Sequence, residues 1–279
     1  MYSSRTVNYI KELRVKNFTL TEIVKKTNLS KSRIFDYIRD IPQSKCLIKK
    51  IKLNKIEGQK IGALGRRGKS IKQYIFNKPK IWDSGFVNFT AHFLFDGCVQ
   101  RTWCGYNNRN QTLIQIIVRG MNKYLNVSDY KIYKNRRTGV VRIAYHNVEI
   151  ASFIKIKTKE LLEYILFAPQ NQKISFLQAF FDDEGSINFK NNVRVVRGYQ
   201  HSRKILEIVQ KLLSDLEIEA KIDNRDIEIS IGRKENLLKF QKLINFTPGL
   251  KVNGNRSNSI WKKDLEKRKI LQMAINSYL

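Results

Sequence analysis

Two apolar stretches of this chain close in the same way, and that repetition constrains its fold more than any other feature. One reads Phe89-Thr90-Ala91-His92-Phe93-Leu94-Phe95-Asp96-Gly97; the other reads Leu177-Gln178-Ala179-Phe180-Phe181-Asp182-Asp183-Glu184-Gly185. Each predicts a helix ending in an acid followed by glycine, and the two acids stand 88 positions apart (184 − 96). After Asp96 the patterning predicts a strand, a helix over Leu113 to Leu125, strands at Tyr130 to Tyr133 and Val140 to Ile143, and a helix over Val148 to Leu166. After Glu184 come a strand at Val193 to Val196, a helix over Ile205 to Leu216, strands at Ala220 to Ile222 and Ile227 to Ile231, and a helix over Asn236 to Ile244. The expected fold is α+β, a pseudo-twofold pair of αββαββα units.

The placing of the acids carries chemistry. A helix C-terminus bears partial negative charge, so a carboxylate there costs roughly 0.3–1 kcal/mol. One such residue reads as a solvated helix end with glycine as an ordinary cap. Two, on helices packed side by side, bring both acids to one end, where their repulsion requires a cation. Oxygen ligands on a basic protein suit magnesium, which also coordinates phosphate oxygens.

The charge is strongly one-sided. With 53 Lys and Arg against 24 Asp and Glu, the formal net charge is +29, which points to a polyanionic partner. A hydrophobic content of 42 % rules out a disordered basic tail. No apolar run approaches the roughly 20 residues that span a bilayer, and the polar stretch Met1 to Asn17 lacks a secretory core. The expectation is a cytoplasmic, nucleoid-associated or organellar protein. Cys46, Cys98 and Cys104 show no CxxC spacing, and His92, His146 and His201 lie far apart, which argues against a zinc site or a disulfide framework. No phosphate loop or GxGxxG is present, and no Ser/His/Asp or Cys/His arrangement is apparent.

Upstream, residues 1–44 are expected to be helical. Apolar residues at 20, 23, 24, 29, 34, 35 and 38 fit two short helices joined at Thr27-Asn28-Leu29, with Ser30 capping the second and Pro42 ending the helical stretch. This layout resembles the helix-turn-helix family. The resemblance makes Thr21 to Lys26 the supporting helix and Ser30 to Arg39 the recognition helix, with Ser30, Lys31, Ser32, Arg33 and Arg39 as DNA-contacting residues. Residues 45–84 form an expected basic linker with at most one exposed helix, Lys45 to Lys60, before Gly65-Arg66-Arg67-Gly68.

The two acid-glycine runs resemble the paired LAGLIDADG motifs of homing endonucleases in their single-chain form. The similarity covers roughly Phe86 to Phe246, giving halves at 85–168 and 169–247. In that family the motif helices form the interface between halves and the eighth-position acid binds the metal; here those acids are Asp96 and Glu184, with Gly97 and Gly185 completing the metal end of each motif. The second motif matches more closely. The first carries Leu94 at the sixth position and Phe95 at the usually small seventh, where Asp183 is also bulky, which bears on how closely the helices approach.

The resemblance further implies antiparallel, saddle-shaped sheets over the DNA major groove and a protein that acts as a monomer, with an N-terminal helix-turn-helix adding a second reader. Strand and turn residues expected to meet DNA are Gln100, Arg101, Arg109, Lys131, Lys134, Arg136, Arg137 and Arg142 in the first half. In the second they are Asn188, Lys190, Arg194, Arg197, Tyr199 and Arg225. Arg233 and Lys234 are the candidate basic residues supporting catalysis, with His146 in the related region of the first half. The implied activity is magnesium- or manganese-dependent hydrolysis of double-stranded DNA. Two alternatives remain open: a catalytically inert DNA-binding transcriptional regulator, or an RNA-binding maturase that acts on intron RNA. Residues 248–279 are expected to carry a basic helix around Ile260 to Ile275.

Overall fold

Hydroxyl side chains set where the first helices begin. The Ser3 hydroxyl accepts from the Thr6 amide and opens α1 (Ser4–Val15). Thr19 and Glu22 form a reciprocal capping box at the start of α2 (Leu20–Thr27). Asn28, at φ 52°, ends α2 in the left-handed conformation that asparagine tolerates. Ser30 then accepts from the Arg33 amide at 3.4 Å and opens α3 (Lys31–Ile38). Ile10, Leu13, Ile23, Ile34 and Ile38 form the core of these three helices, with Leu20, Val24 and Leu29 packed against it. Phe35, expected on the apolar side, is exposed beside the equally exposed Lys31, Ser32, Arg33 and Arg39.

The computed structural model describes residues 2–64, 75–190, 193–223, 225, 227–252, 254 and 264–278. The chain divides into two compact units, Met1–Ile75 and Phe76–Leu279. The first unit includes α4 (Lys45–Leu64). Leu47 on α4 is buried and Lys50 pairs with Glu22 at 2.8 Å, so the start of the expected linker is a helix docked on the first three. Gly65 to Lys69 lie outside the described residues.

The second unit repeats itself. Its first half runs α5 (Ser84–Phe95), β1 (Gly97–Val99), β2 (Cys104–Asn108), α6 (Gln111–Leu125), β3 (Lys131–Lys134), β4 (Val141–Tyr145) and α7 (Val148–Tyr164). Its second runs α8 (Gln170–Glu184), β5 (Gly185–Lys190), β6 (Val193–Tyr199), α9 (Arg203–Asp215), β7 (Lys221–Asp223), β8 (Glu228–Ile231) and α10 (Lys234–Leu243). A last helix, α11 (Lys267–Asn276), comes after these and packs on α10, β5 and β6. The strand β5 is not among the strands set out from the sequence, although Ile187 and Phe189 alternate with Ser186, Asn188 and Lys190 in the pattern of a half-buried strand.

Both sheets are antiparallel and share one order, β1-β2-β4-β3 and β5-β6-β8-β7. Their registers also correspond. Gly97 faces Tyr106, which faces Ile143, which faces Ile132; Gly185 faces Gly198, which faces Ile229, which faces Ile222. Register fixes which side chains share a face, so each motif glycine sits at the same place in its sheet. The mixed α+β repeat is therefore as expected.

Candidate metal centre at the end of the helix seam

The helices α5 and α8 pack together along the motif. Ala91 and Ala179, both at the small third position, are fully buried, and the Asn88 amide donates to the Ser175 carbonyl at 3.1 Å. Fourth and seventh positions meet across the seam. Phe95, seventh in the first motif, packs edge-on against Phe180, fourth in the second, with ring centroids 5.2 Å apart. The reciprocal pair is His92 and Asp183, joined by a 2.9 Å hydrogen bond through Nδ1. Each bulky departure from the motif thus fills space left by its partner helix.

The motif glycines are steric necessities. A β-carbon on Gly97 would lie 2.1 Å from the Phe93 carbonyl oxygen, and one on Gly185 would lie 2.1 Å from that of Phe181. Each strand leaves by doubling back over the last helical turn, and only glycine fits there.

This exit brings the acids to one end. Asp96 caps α5, its Oδ2 accepting from Asn108 Nδ2 at 2.7 Å. Burial and then the charge of Asp183 push its carboxyl up to about 7. Glu184 ends α8; burial, then the charges of Asp96 and Asp183, push it up to about 8. Asp182 is also buried and raised by burial, although the Thr247 amide at 2.9 Å and hydroxyl at 2.5 Å hold it. The Tyr106 hydroxyl donates to Asp183 and lies 3.3 Å from Asn108 Nδ2. A polar chain thus runs from Asp96 through Asn108, Tyr106 and Asp183 to His92.

Two buried nitrogens oppose these four carboxyls. Burial disfavours the charged His92 ring, but the charge and hydrogen bond of Asp183 outweigh it and hold the pKa above the ordinary histidine value. The other is Lys267, the first residue of α11, whose ammonium donates to the carbonyls of Phe181 at 3.3 Å, Asp182 at 2.9 Å and Gly185 at 2.7 Å. Its charge pulls both Asp96 and Glu184 back down. Burial lowers the Lys267 pKa, and the surrounding acids resist that shift. Sequence reasoning missed Lys267, Thr247, Asn108 and Tyr106. For Lys267 a signal existed, since it lies on the helical stripe of Ile270, Leu271, Ala274 and Ile275.

Four carboxyl groups meet two nitrogens here, and carboxylate oxygens are the hard donors that a divalent cation takes. Among the described residues no group of three or more His, Cys, Asp or Glu side chains is arranged to hold a metal. A cavity of about 1230 Å³ opens beside Asp182 and Asp183, bounded also by Asn108, Ser186, Arg197 and Lys267; Asp96 and Glu184 lie outside its lining.

The remaining expected residues fall in several places. Asn107, Arg142 and Tyr133 form one cross-strand row, with Arg142 Nε donating to Asn107 Oδ1 at 2.8 Å; Lys131 shares that face. Lys134 alternates to the opposite face. Ser186, Arg197, Ser230 and Lys221 form a row in the other sheet, whose face also carries Asn188, Lys190 and Tyr199. Gln100, Arg101, Arg136 and Arg137 are exposed in turns, Arg109 Nε donates to the Thr138 carbonyl at 2.8 Å, and Arg225 is exposed near Asp223.

Three expectations are corrected in placement. Arg194 shares the face of Val196 and Gly198, which are buried, and not that of Arg197. It donates to Ser277 Oγ at 2.6 Å and to the Ser277 carbonyl at 2.7 Å, and lies over the Tyr278 ring. Arg233 pairs with Glu219 at 2.9 Å, and Lys234 donates to the Tyr278 carbonyl at 3.2 Å. The buried cation beside the acids is Lys267.

Paired αββαββα halves with an acid at each helix end define the architecture that the motifs imply. Residues 171–245 match the family model of the LAGLIDADG-like domain, so the chain carries a LAGLIDADG-like domain in its second half. No curated protein sequence matches the chain. Among solved structures it is similar to mesophilic variants of the homing endonuclease I-DmoI, at 16 % identity and TM-score 0.46 over 58 % of this chain and 89 % of that one. It is also similar to I-DmoI in complex with DNA and Mn, at 16 % identity and TM-score 0.44 over 58 % and 96 %. A third likeness is to full-length DUF199/WhiA from Thermatoga maritima, at 14 % identity and TM-score 0.48 over 72 % and 63 %.

Proposed function

We propose that the chain is a site-specific endonuclease that hydrolyses both strands of double-stranded DNA with a divalent metal, Mg2+ or Mn2+, held by Asp96 and Glu184. The observation that carries this reading is the meeting of these two acids at one end of the α5–α8 seam, each raised towards neutrality by burial and by neighbouring negative charge. A bound ion supplies the charge that activates water and stabilises the departing oxygen. Asn108 orients Asp96 through Oδ2, and Lys267 fixes the backbone on either side of Glu184. Arg142 and Lys131 on one sheet face and Arg197 on the other bind phosphates and base edges. In the first unit, α2 and α3 act as a helix-turn-helix reader that presents Lys31, Ser32 and Arg33.

Incubation of the protein with a DNA library and Mg2+ tests the reading. The expected result is cutting at defined sites, abolished in Asp96→Asn and Glu184→Gln while both variants still retard DNA in a gel shift. Full cleavage by either variant removes the catalytic assignment. Retention of DNA without cutting by the wild type favours a regulator, and preferential retention of intron RNA favours a maturase.

A further inference from the structure

The acid end of the seam is completed from outside the repeat. Lys267 lies beyond residues 171–245, yet its ammonium is buried against the first carbonyl of β5, on Gly185, and the last carbonyls of α8, on Phe181 and Asp182. The α8 carbonyls carry the negative end of the helix dipole, and Glu184 adds a full charge there. The same C-terminal segment packs on the second half through α11, against α10, β5 and β6, and reaches the first half through Asn110 Nδ2 on the Lys251 carbonyl at 3.1 Å and Thr112 Oγ1 on that of Gly249 at 3.4 Å. It therefore touches both halves beside the acids. The end of α5 receives no corresponding lysine among the described residues, so the two motif helices are treated unequally.

We infer that Lys267 is a positioning residue of the proposed metal centre: a resident cation, delivered by the C-terminal segment, that holds the Glu184 end of α8 in place and opposes the charge of the divalent ion. The inference rests on the metal-binding reading above. A fixed ammonium beside a divalent site stabilises the acids while the ion is absent and repels the ion as it enters. Removing the charge therefore has a definite sign: the protein loses stability when metal-free and gains affinity for the metal. A lysine that served only to cap the helix would give the first effect without the second.

Calorimetric titration of the full chain with Mn2+ distinguishes these. Lys267→Gln keeps amide donors for the carbonyls and drops the charge; Lys267→Met drops both. Both variants should bind Mn2+ more tightly than the wild type, roughly fivefold or more, and melt at lower temperature in EDTA. If Lys267→Met does not fold, Lys267→Gln decides alone. Wild-type or weaker Mn2+ affinity in folded Lys267→Gln overturns the inference and leaves the metal-binding reading standing. A wild type that binds no Mn2+ overturns both.

Discussion

His92 on α5 and Asp183 on α8 meet at 2.9 Å with both side chains fully buried, in the place where the reciprocal motif positions bring Phe95 against Phe180. One seam thus holds an ion pair on one flank and an aromatic pair on the other. Buried pairs of this kind cost heavily when halved and little when replaced whole. Asp183→Ala should destabilise the protein by about 3–5 kcal/mol, because His92 is left without its partner. The double variant His92→Phe with Asp183→Leu should lose less than Asp183→Ala alone. Urea titrations of the wild type and the two variants measure this, and a double variant that loses as much as Asp183→Ala would argue against coupling.

The raised acids set a pH dependence. Asp96 moves from 3.8 to about 7 and Glu184 from 4.5 to about 8, so between roughly pH 4 and 8 the folded state holds more protons than the unfolded chain. Metal-free stability should fall as pH rises through that window. His92, raised as well, adds to the fall, whereas the lowered Lys267 opposes it at alkaline pH. Melting temperatures in EDTA from pH 5 to 9 should decline, and Mg2+ should reduce the decline by occupying the ionised acids. A profile that climbs across this range would count against the burial of these carboxyls.

Glycine substitutions should sort by geometry. Gly185→Ala sets a β-carbon against the Phe181 carbonyl, and Gly198→Ala sets one 2.3 Å from the Phe180 ring, so each should cost about 1–3 kcal/mol or more. Gly232→Ala meets nothing within 4 Å and should lie within about 0.5 kcal/mol of wild type. Equal losses at all three positions, measured by chemical denaturation, would exclude the close strand exit.

Arginines on opposite faces of the strands should behave differently. Arg142→Ala removes an exposed charge from the proposed DNA face, so affinity should drop and the slope of log K against log salt should shrink by about one. Arg194→Ala breaks the contacts with Ser277 and Tyr278, so it should lower the melting temperature and leave the salt slope unchanged. Filter binding across salt concentrations reads both. A loss of slope in Arg194→Ala would return that residue to the DNA surface.

Periodicity makes the repeat legible in the amino-acid order itself. Acid-glycine helix ends, the 3.6-residue spacing of α6 and α9, and Asn28 between two short helices are local signals, and local physics decides them. The alternation of β6 is equally local: Arg197 and Tyr199 share one face, so Arg194 must share the other with Val196 and Gly198. Asn108, Tyr106 and Thr247 have no such signature. Their partners lie 12, 77 and 65 residues away, and only the packed fold brings them together. Arg233 and Lys234 stand just after a strand, a position that suggests catalytic support, but at the start of α10 their side chains reach Glu219 and the Tyr278 carbonyl.

The arrival of Lys267 from so late in the chain has a consequence for synthesis. The amino-terminal regions of a protein emerge first from the ribosome, and Lys267 comes 83 positions after Glu184 (267 − 184). While the nascent repeat waits, its crowded carboxylates must be tolerated by protonation, by solvent or by free cations. The acid end of the repeat is therefore settled only once the C-terminal segment has been made.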